Sequence, residues 1–448
     1  MKSIFKNIDI FKIIYEYTNL RGLCDTCKLF ATLKKYVKYI IKDSLMYYNN
    51  IEFRELILSK IHNPNKQLYL DLRHCNITDV STLTSVHTLD LRSCKITDVS
   101  ALKDVHTLIL RYCDIIDVSA LTSVHTLDLS YCSLITDFSA LTSVHTLDLS
   151  QCKITDVSAL RNTHTLYLNY CKIIDVSPLK FVHTLYLSNC SLIKDVSALG
   201  NTHTLNLSCC RLIKNVSALG NIHTLNLSYC KIKNISALGN NHTLDLSYCS
   251  LIKDVSALGN THTLYLSNCR LIKNVSALKY VHTLDLSYCS LIKDVSALGN
   301  THTLNLNNCC LIKDVSALKY VHTLDLSYCS LITDVSMLGN THTLNLSNCC
   351  LITDVSMLGN THTLDLSYCS LITDVSSLTS VHTLDLNDCP LITDVSALGN
   401  THTLRLRKCD LITDVSALKN VNTLDLRGCI SVMDISALKN VQYLYKSF

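Results

Sequence analysis

Residues 281–300 read "VHTLDLSYCSLIKDVSALGN". They are followed by "THTLNLNNCCLIKDVSALKY" (301–320) and "VHTLDLSYCSLITDVSMLGN" (321–340). A chain that writes nearly the same twenty residues again and again is built from one small unit that cannot bury its apolar face alone, and stacked copies bury it for one another. One cysteine per repeat marks the period, 19 in all from Cys75 to Cys429, at spacings of 19 or 20 residues. The one-residue difference falls just after the cysteine, "CKITDV" (152–157) against "CSLITDV" (329–335). An insertion confined to one place identifies a loop there, with rigid structure on either side.

Within a repeat, "HTLDLSYC" (282–289) alternates polar and apolar residues, which predicts a strand of about five residues. Past the cysteine the apolar positions change register to Leu291, Ile292, Val295 and Leu298, expected to line the inside of the return path. Asp294 opens "DVSAL" and is placed to cap a short helical turn. Gly299-Asn300 then turns the chain back toward the next strand. Twenty residues leave no room for a full α-helix. The expected fold is an α/β repeat solenoid with a parallel inner β-sheet and short turns or 3-10 segments on the outer side. Residues 66–448 would supply about 19 repeats plus a final strand, and residues 1–65 a small helical domain.

The pattern L-x-L-x-x-C, carried here by Leu284, Leu286 and Cys289, resembles the leucine-rich repeat family over residues 67–448. That resemblance implies a horseshoe or arc whose concave face is the sheet. "ITDVSAL" is similar to the short repeats of internalin-type proteins, and the cysteine to the cysteine-containing repeats of F-box proteins. These repeats are shorter, and the usual first leucine is replaced, as by Val281, Thr301, Ile222 and Asn241.

Composition separates the two regions. The net charge is +4, but residues 1–66 hold 12 Lys/Arg against 6 Asp/Glu, and all three Glu (Glu16, Glu52, Glu55) lie there. Charges at Lys2, Lys6, Asp9 and Lys12 interrupt the first apolar stretch, so it lacks the core of a signal peptide. No run of eighteen apolar residues exists, so nothing is expected to span a membrane, and no membrane partner is expected. Cysteines in structural register, and N-x-S/T triplets inside strands (Asn206-Leu207-Ser208), point to a reducing, intracellular and cytoplasmic setting.

Each repeat from His87 to His402 carries a histidine seven residues before its cysteine. As a metal pair they fail on distance, since seven extended residues span about 23 Å and zinc holds its ligands at about 2.0–2.3 Å. As a catalytic set with the nearby Asp and Ser they also fail, because the histidine has the opposite strand parity. No phosphate-binding glycine loop occurs. The expectation is therefore no catalytic residue, no metal and no cofactor. Leu68 holds the histidine's position in the first repeat. That suggests imidazoles pointing inward or lying on the sheet edge, stacked as a neutral ladder and hydrogen-bonded to adjacent turns. The cysteine is expected to be a buried filler under the turn.

Candidate contacts lie on the exposed strand face and just before each cysteine: Tyr112, Tyr131, Asp148, Tyr167, Tyr170, Tyr186, Tyr229, Tyr248, Tyr265, Tyr288, Tyr328 and Tyr368. Such a Tyr/Asp/Asn/Ser surface suits a protein target, or it merely covers a sheet. Its acidic middle column argues against nucleic acid.

The first 65 residues show apolar spacings of three and four, read as two or three amphipathic helices that would cap the solenoid. Ile8-Asp9-Ile10 with Ile13, Ile14 and Tyr17, followed by "LRGLCDTCKLFATL" (20–33), resembles a degenerate F-box. The resemblance implies docking on the small adaptor subunit of a cullin-type ubiquitin ligase, with Ile10, Ile13, Ile14, Tyr17, Leu20, Leu23 and Phe30 as adaptor-binding candidates. Near-identical repeats of Lys/Ile/Asn/Tyr-rich composition are also similar to proteins of large DNA viruses, which would place the chain in host cytoplasm. The leading reading is a non-enzymatic adaptor. The alternative is a plain recognition or structural repeat protein with an N-terminal cap.

Overall fold

The computed structural model describes residues 39–40, 44–61 and 63–447. The adaptor-binding candidates Ile10 to Phe30 lie outside the described residues. The chain divides into two compact units, residues 1–172 and 173–448.

In the first unit a parallel sheet starts with the strands Tyr39–Ile40 and Leu68–Asp71 and continues one strand per repeat to Thr165–Tyr167. The second unit repeats the plan from Thr184–Tyr186 to Tyr443–Tyr445. Within each unit, equivalent positions of successive repeats face each other, as in Thr283↔Thr303 and Leu284↔Leu304. Register is fixed because a slip by one residue would turn both leucines to solvent.

The regular strand is three residues long, shorter than the five expected. The hydrogen-bonded stretch is longer than the strand. His282 N–H donates to the His262 carbonyl at 3.0 Å, and Tyr288 N–H donates to the Asn307 carbonyl at 2.8 Å. Between these points the chain is already bending, so regular pleating covers only the middle. On the opposite side most repeats carry a 3-10 turn, such as Ser296–Leu298. Asp294 stands ahead of it as expected, its Oδ1 accepting the Ser296 N–H at 2.9 Å.

Seven side chains of the quoted repeat, Val281, Leu284, Leu286, Cys289, Ile292, Val295 and Leu298, are each no more than 1% exposed. Burial of each larger aliphatic contributes roughly 1.5–3 kcal/mol before conformational entropy is charged against it. Leu291 departs from expectation. It is half-buried, and its equivalents Leu212 and Leu351 are exposed. This position belongs to the seven-residue form of the loop, and the extra residue bulges out of the core.

The described N-terminal residues cap the first repeat. Helices α1 (Ser44–Asn49), α2 (Ile51–Lys60) and α3 (Pro64–Gln67) precede the strand Leu68–Asp71. Tyr47 is 1% exposed, Ser44 Oγ accepts the Asp71 N–H at 3.0 Å, and Tyr48 donates its hydroxyl to the Asp79 carbonyl at 2.8 Å. Sequence reading expected helices alone. The strand Tyr39–Ile40 is an addition, pairing with Leu68–Tyr69.

Candidate recognition surface

The residue before each ladder cysteine is the third of a four-residue turn, closed in the quoted repeat by Cys289 N–H donating to the Leu286 carbonyl at 3.1 Å. That third residue sits at positive φ: 60° at Tyr288, 62° at Tyr170 and 65° at Gln151. The region favours Gly, with Asn and Asp next. Asn189, Asn268, Asn308, Asn348, Asp388 and Gly428 follow that preference. Tyr112, Tyr131, Tyr170, Tyr229, Tyr248, Tyr288, Tyr328 and Tyr368 do not. A β-carbon held there costs about 1–2 kcal/mol per residue.

These tyrosines are only partly buried in return. Tyr288 is 44% exposed, and Tyr112, Tyr170, Tyr229, Tyr248, Tyr328 and Tyr368 are exposed as well. Two neighbouring pairs meet, Tyr112 with Tyr131 and Tyr229 with Tyr248, each with ring centroids 4.3 Å apart. The Arg111 guanidinium lies over both members of the first pair, 5.1 and 4.7 Å from the ring centroids, and Tyr131 is half-buried there.

Within each unit the candidate set splits between two positions of the repeat, a turn column and a strand column. The turn column holds Tyr112, Tyr131 and Tyr170 in the first unit and Tyr229, Tyr248, Tyr288, Tyr328 and Tyr368 in the second. The strand column holds Asp148, Tyr167 and Tyr186, half-buried, and Tyr265, exposed. Burial raises the Asp148 carboxyl above the ordinary carboxylate value, aided by the charge of Asp128 and opposed by hydrogen bonds from Ser150. Some of the arginines near the two ends of the array are held by the aspartate two residues before them. Arg92 pairs with the fully buried Asp90 at 2.6 Å, and Arg427 pairs with Asp425.

The histidine position is a correction to the sequence reading. The imidazoles do form a ladder, with centroid steps of 4.6 Å in the first unit and 4.6–4.8 Å in the second. They point to solvent, however. His282 is exposed, as are His106 to His402, and only His87 is half-buried. Each Nδ1 lies 3.0–3.3 Å from the Oγ1 of the threonine beside it in its own repeat, not against an adjacent turn. Strand parity misleads because the histidine precedes the pleated segment, at the corner where the chain turns into the sheet.

The cysteine behaves as a buried strut. Cys289 donates its thiol to the Leu266 carbonyl of the preceding repeat at 3.3 Å, and Cys132 does the same to Leu110 at 3.1 Å. Burial pushes the Cys289 thiol up to about 12 and Cys132 up to about 11, so neither supplies a thiolate at neutral pH. Among the described residues no group of three or more His, Cys, Asp or Glu is placed to hold a metal ion.

Sequence reasoning missed Phe181, Tyr280 and Tyr320, which stand 71%, 68% and 70% exposed at the corner two residues before a histidine. The available signal was the repeated "K-[FY]-V-H", which replaces the common "G-N-T-H".

A leucine-rich repeat family model matches residues 68–81, 82–103 and 140–160. Solved structures with similar folds include the TLR13-ssRNA13 complex (23% identity, 87% of this chain and 64% of that one, TM-score 0.53). Mouse RP105/MD-1 is another (16%, 82% and 75%, TM-score 0.53). The functional domain of InlJ from Listeria monocytogenes, described as including a cysteine ladder, aligns less closely (22%, 75% and 72%, TM-score 0.46). At such identities the likeness is one of fold. Among curated proteins none matches.

Proposed function

We propose that this chain of leucine-rich repeats is a non-enzymatic scaffold that recognises a protein partner through the tyrosine turn column and the adjoining strand column. The observation that carries the reading is the left-handed backbone under eight tyrosines, seven of which are exposed. Strain of this kind persists where surrounding structure enforces it, and it concentrates at sites of function. Asparagine fills the same turn at lower cost in four repeats, so folding alone does not call for tyrosine. Tyr offers large contact area with few rotatable bonds, and it is enriched at interface hot spots.

The column can be tested with a photo-crosslinking amino acid placed at position 288 and, separately, at the exposed Ser296 on the opposite side of the repeat. A specific protein adduct is expected from position 288 alone. Equal adducts from both positions would remove the column from the proposal.

The finer reading is an F-box-like substrate adaptor acting inside the cell, with residues 1–65 docking a cullin-ligase adaptor subunit and the repeats holding the target. Its support is the resemblance of residues 8–33. The capping contacts of Tyr47 and Ser44 favour the plainer reading for the segment after residue 38, and a deletion of residues 1–60 would remove that cap. Point changes are therefore the better test. Ile13→Asp with Ile14→Asp should abolish co-purification of the adaptor subunit while leaving the melting of the repeats unchanged. Failure of the unaltered chain to bring down that subunit would leave the scaffold without an adaptor role.

A further inference from the structure

Phe181, Tyr280 and Tyr320 are the most exposed aromatic side chains among the described residues, and all lie in the second unit. Each follows a lysine whose Nζ lies 4.6–4.9 Å from the ring centroid, and each precedes a ladder histidine by two residues. The lysines Lys180, Lys279 and Lys319 thus stand on the same corner as His183, His282 and His322. Along the second unit that corner carries twelve histidines, His183 to His402, over a contour of roughly 50 Å at ordinary strand spacing.

We propose that this corner is a peripheral docking surface for anionic lipid, engaged when the histidine row takes up charge in mild acid. Aromatic rings with a lysine beside them suit the boundary between headgroups and acyl chains, where one end of the side chain is apolar and the other wet. Fixed positive charge is sparse at neutral pH. Between residues 180 and 402 the three positions ahead of each histidine hold those three lysines and no carboxylate. The strands beside each histidine contribute further histidines, except that Asn422 follows His402. The nearest carboxylates on the same strands, such as Asp285 and Asp325, come three residues on, on the outward face of the sheet. Protonation would convert a neutral row into a cationic one, and each basic group near an anionic surface raises affinity about fivefold. His223, His262, His322 and His382 titrate below the ordinary imidazole value, through desolvation first and the charge of neighbouring rings second. An anionic surface relieves that repulsion, so docking and proton uptake reinforce each other.

The contact is peripheral, since no helix among the described residues is long and apolar enough to cross a membrane. It goes beyond the recognition surface, which occupies the other end of the strands, and either can fail without the other.

The test is co-sedimentation of the full chain with phosphatidylserine-containing and pure phosphatidylcholine vesicles at about pH 5.5 and about pH 7.5, either side of the free imidazole value. Circular dichroism at both pH values monitors the fold. Expected is binding to the anionic vesicles at least about tenfold tighter in acid, with none to phosphatidylcholine. Phe181→Ser, Tyr280→Ser and Tyr320→Ser together should weaken binding while keeping its pH dependence. His262→Asn, His282→Asn, His302→Asn and His322→Asn together should flatten that dependence. Asparagine is tolerated there, as Asn422 holds the same position. Equal binding at both pH values overturns the proposal. So does loss of the folded signal at the acid pH, retention of heparin without vesicle binding, or unaltered behaviour of the histidine variant.

Discussion

Replacing seven buried threonines with valine should stabilise the protein by several kcal/mol. Thr163, Thr202, Thr261, Thr301, Thr341, Thr361 and Thr401 occupy the position just before a ladder histidine, are at most 2% exposed, and have no hydrogen-bond partner for their hydroxyls. An unpaired buried hydroxyl costs about 1–3 kcal/mol by the measure of protein substitutions. Valine has nearly the same shape and already fills this position at Val281, Val321 and Val381, each no more than 1% exposed. A gain of about 1 kcal/mol per site follows. Thr341 and Thr361 lie in adjacent repeats, so their gains need not add. The expected result is a higher urea midpoint with an unchanged slope. An unchanged or lower midpoint would show that these hydroxyls are paired in solution. Asn241, in the same column, differs by donating to the Leu219 and Ile222 carbonyls, and Asn241→Val should not stabilise in the same way.

The second large effect is acid instability. His145, His223, His262, His322 and His382 have depressed folded values, caused first by desolvation and then by neighbouring imidazoles. The unfolded chain titrates near ~6.5 and binds more protons below that point. Stability from the ladder is therefore complete above about pH 6.5 and falls as pH drops toward the folded values. A separate window opens lower down. Asp294, Asp314, Asp334, Asp354 and Asp374 titrate below the ordinary carboxylate value because the serine two residues on hydrogen-bonds the carboxylate. That contribution is held above about pH 4 and lost below it. Asp148 and Asp385 are raised by burial and act in the opposite sense. Urea midpoints should fall between about pH 7.5 and about pH 5.5, with salt reducing the fall. Equal midpoints would mean that the stacked rings titrate independently of folding.

Much of the fold was legible because a 20-residue period repeats every constraint many times. The alternation at Leu284 and Leu286, the shift to Ile292, Val295 and Leu298, and the single-residue insertion after the cysteine together located sheet, core and loop. Two features were not legible. The histidines were read as pointing inward or lying on the sheet edge because parity was extended past the end of the pleat, where the corner reverses its meaning. The left-handed turn under the tyrosines was overlooked because tyrosine carries no such signal. Its signature lay in the same column, which Asn308, Asp388 and Gly428 share with Tyr288 and Tyr328. A column that mixes Asn, Asp and Gly with larger residues identifies positive φ, and tyrosine is the commonest of the large residues kept in spite of it.

That mixture is the centre of the functional account, and Tyr288→Asn, Tyr328→Asn and Tyr368→Asn in one chain test it most directly. Asparagine relaxes the backbone at three sites, each by a fraction of the ~1–2 kcal/mol that the left-handed conformation costs. The variant should therefore be at least as stable as the unaltered protein. Capture of the crosslinked protein partner by the two chains, after their urea midpoints have been compared, is the decisive measurement. The account predicts that the variant loses the partner while its midpoint holds or rises. Undiminished capture by the variant would contradict it.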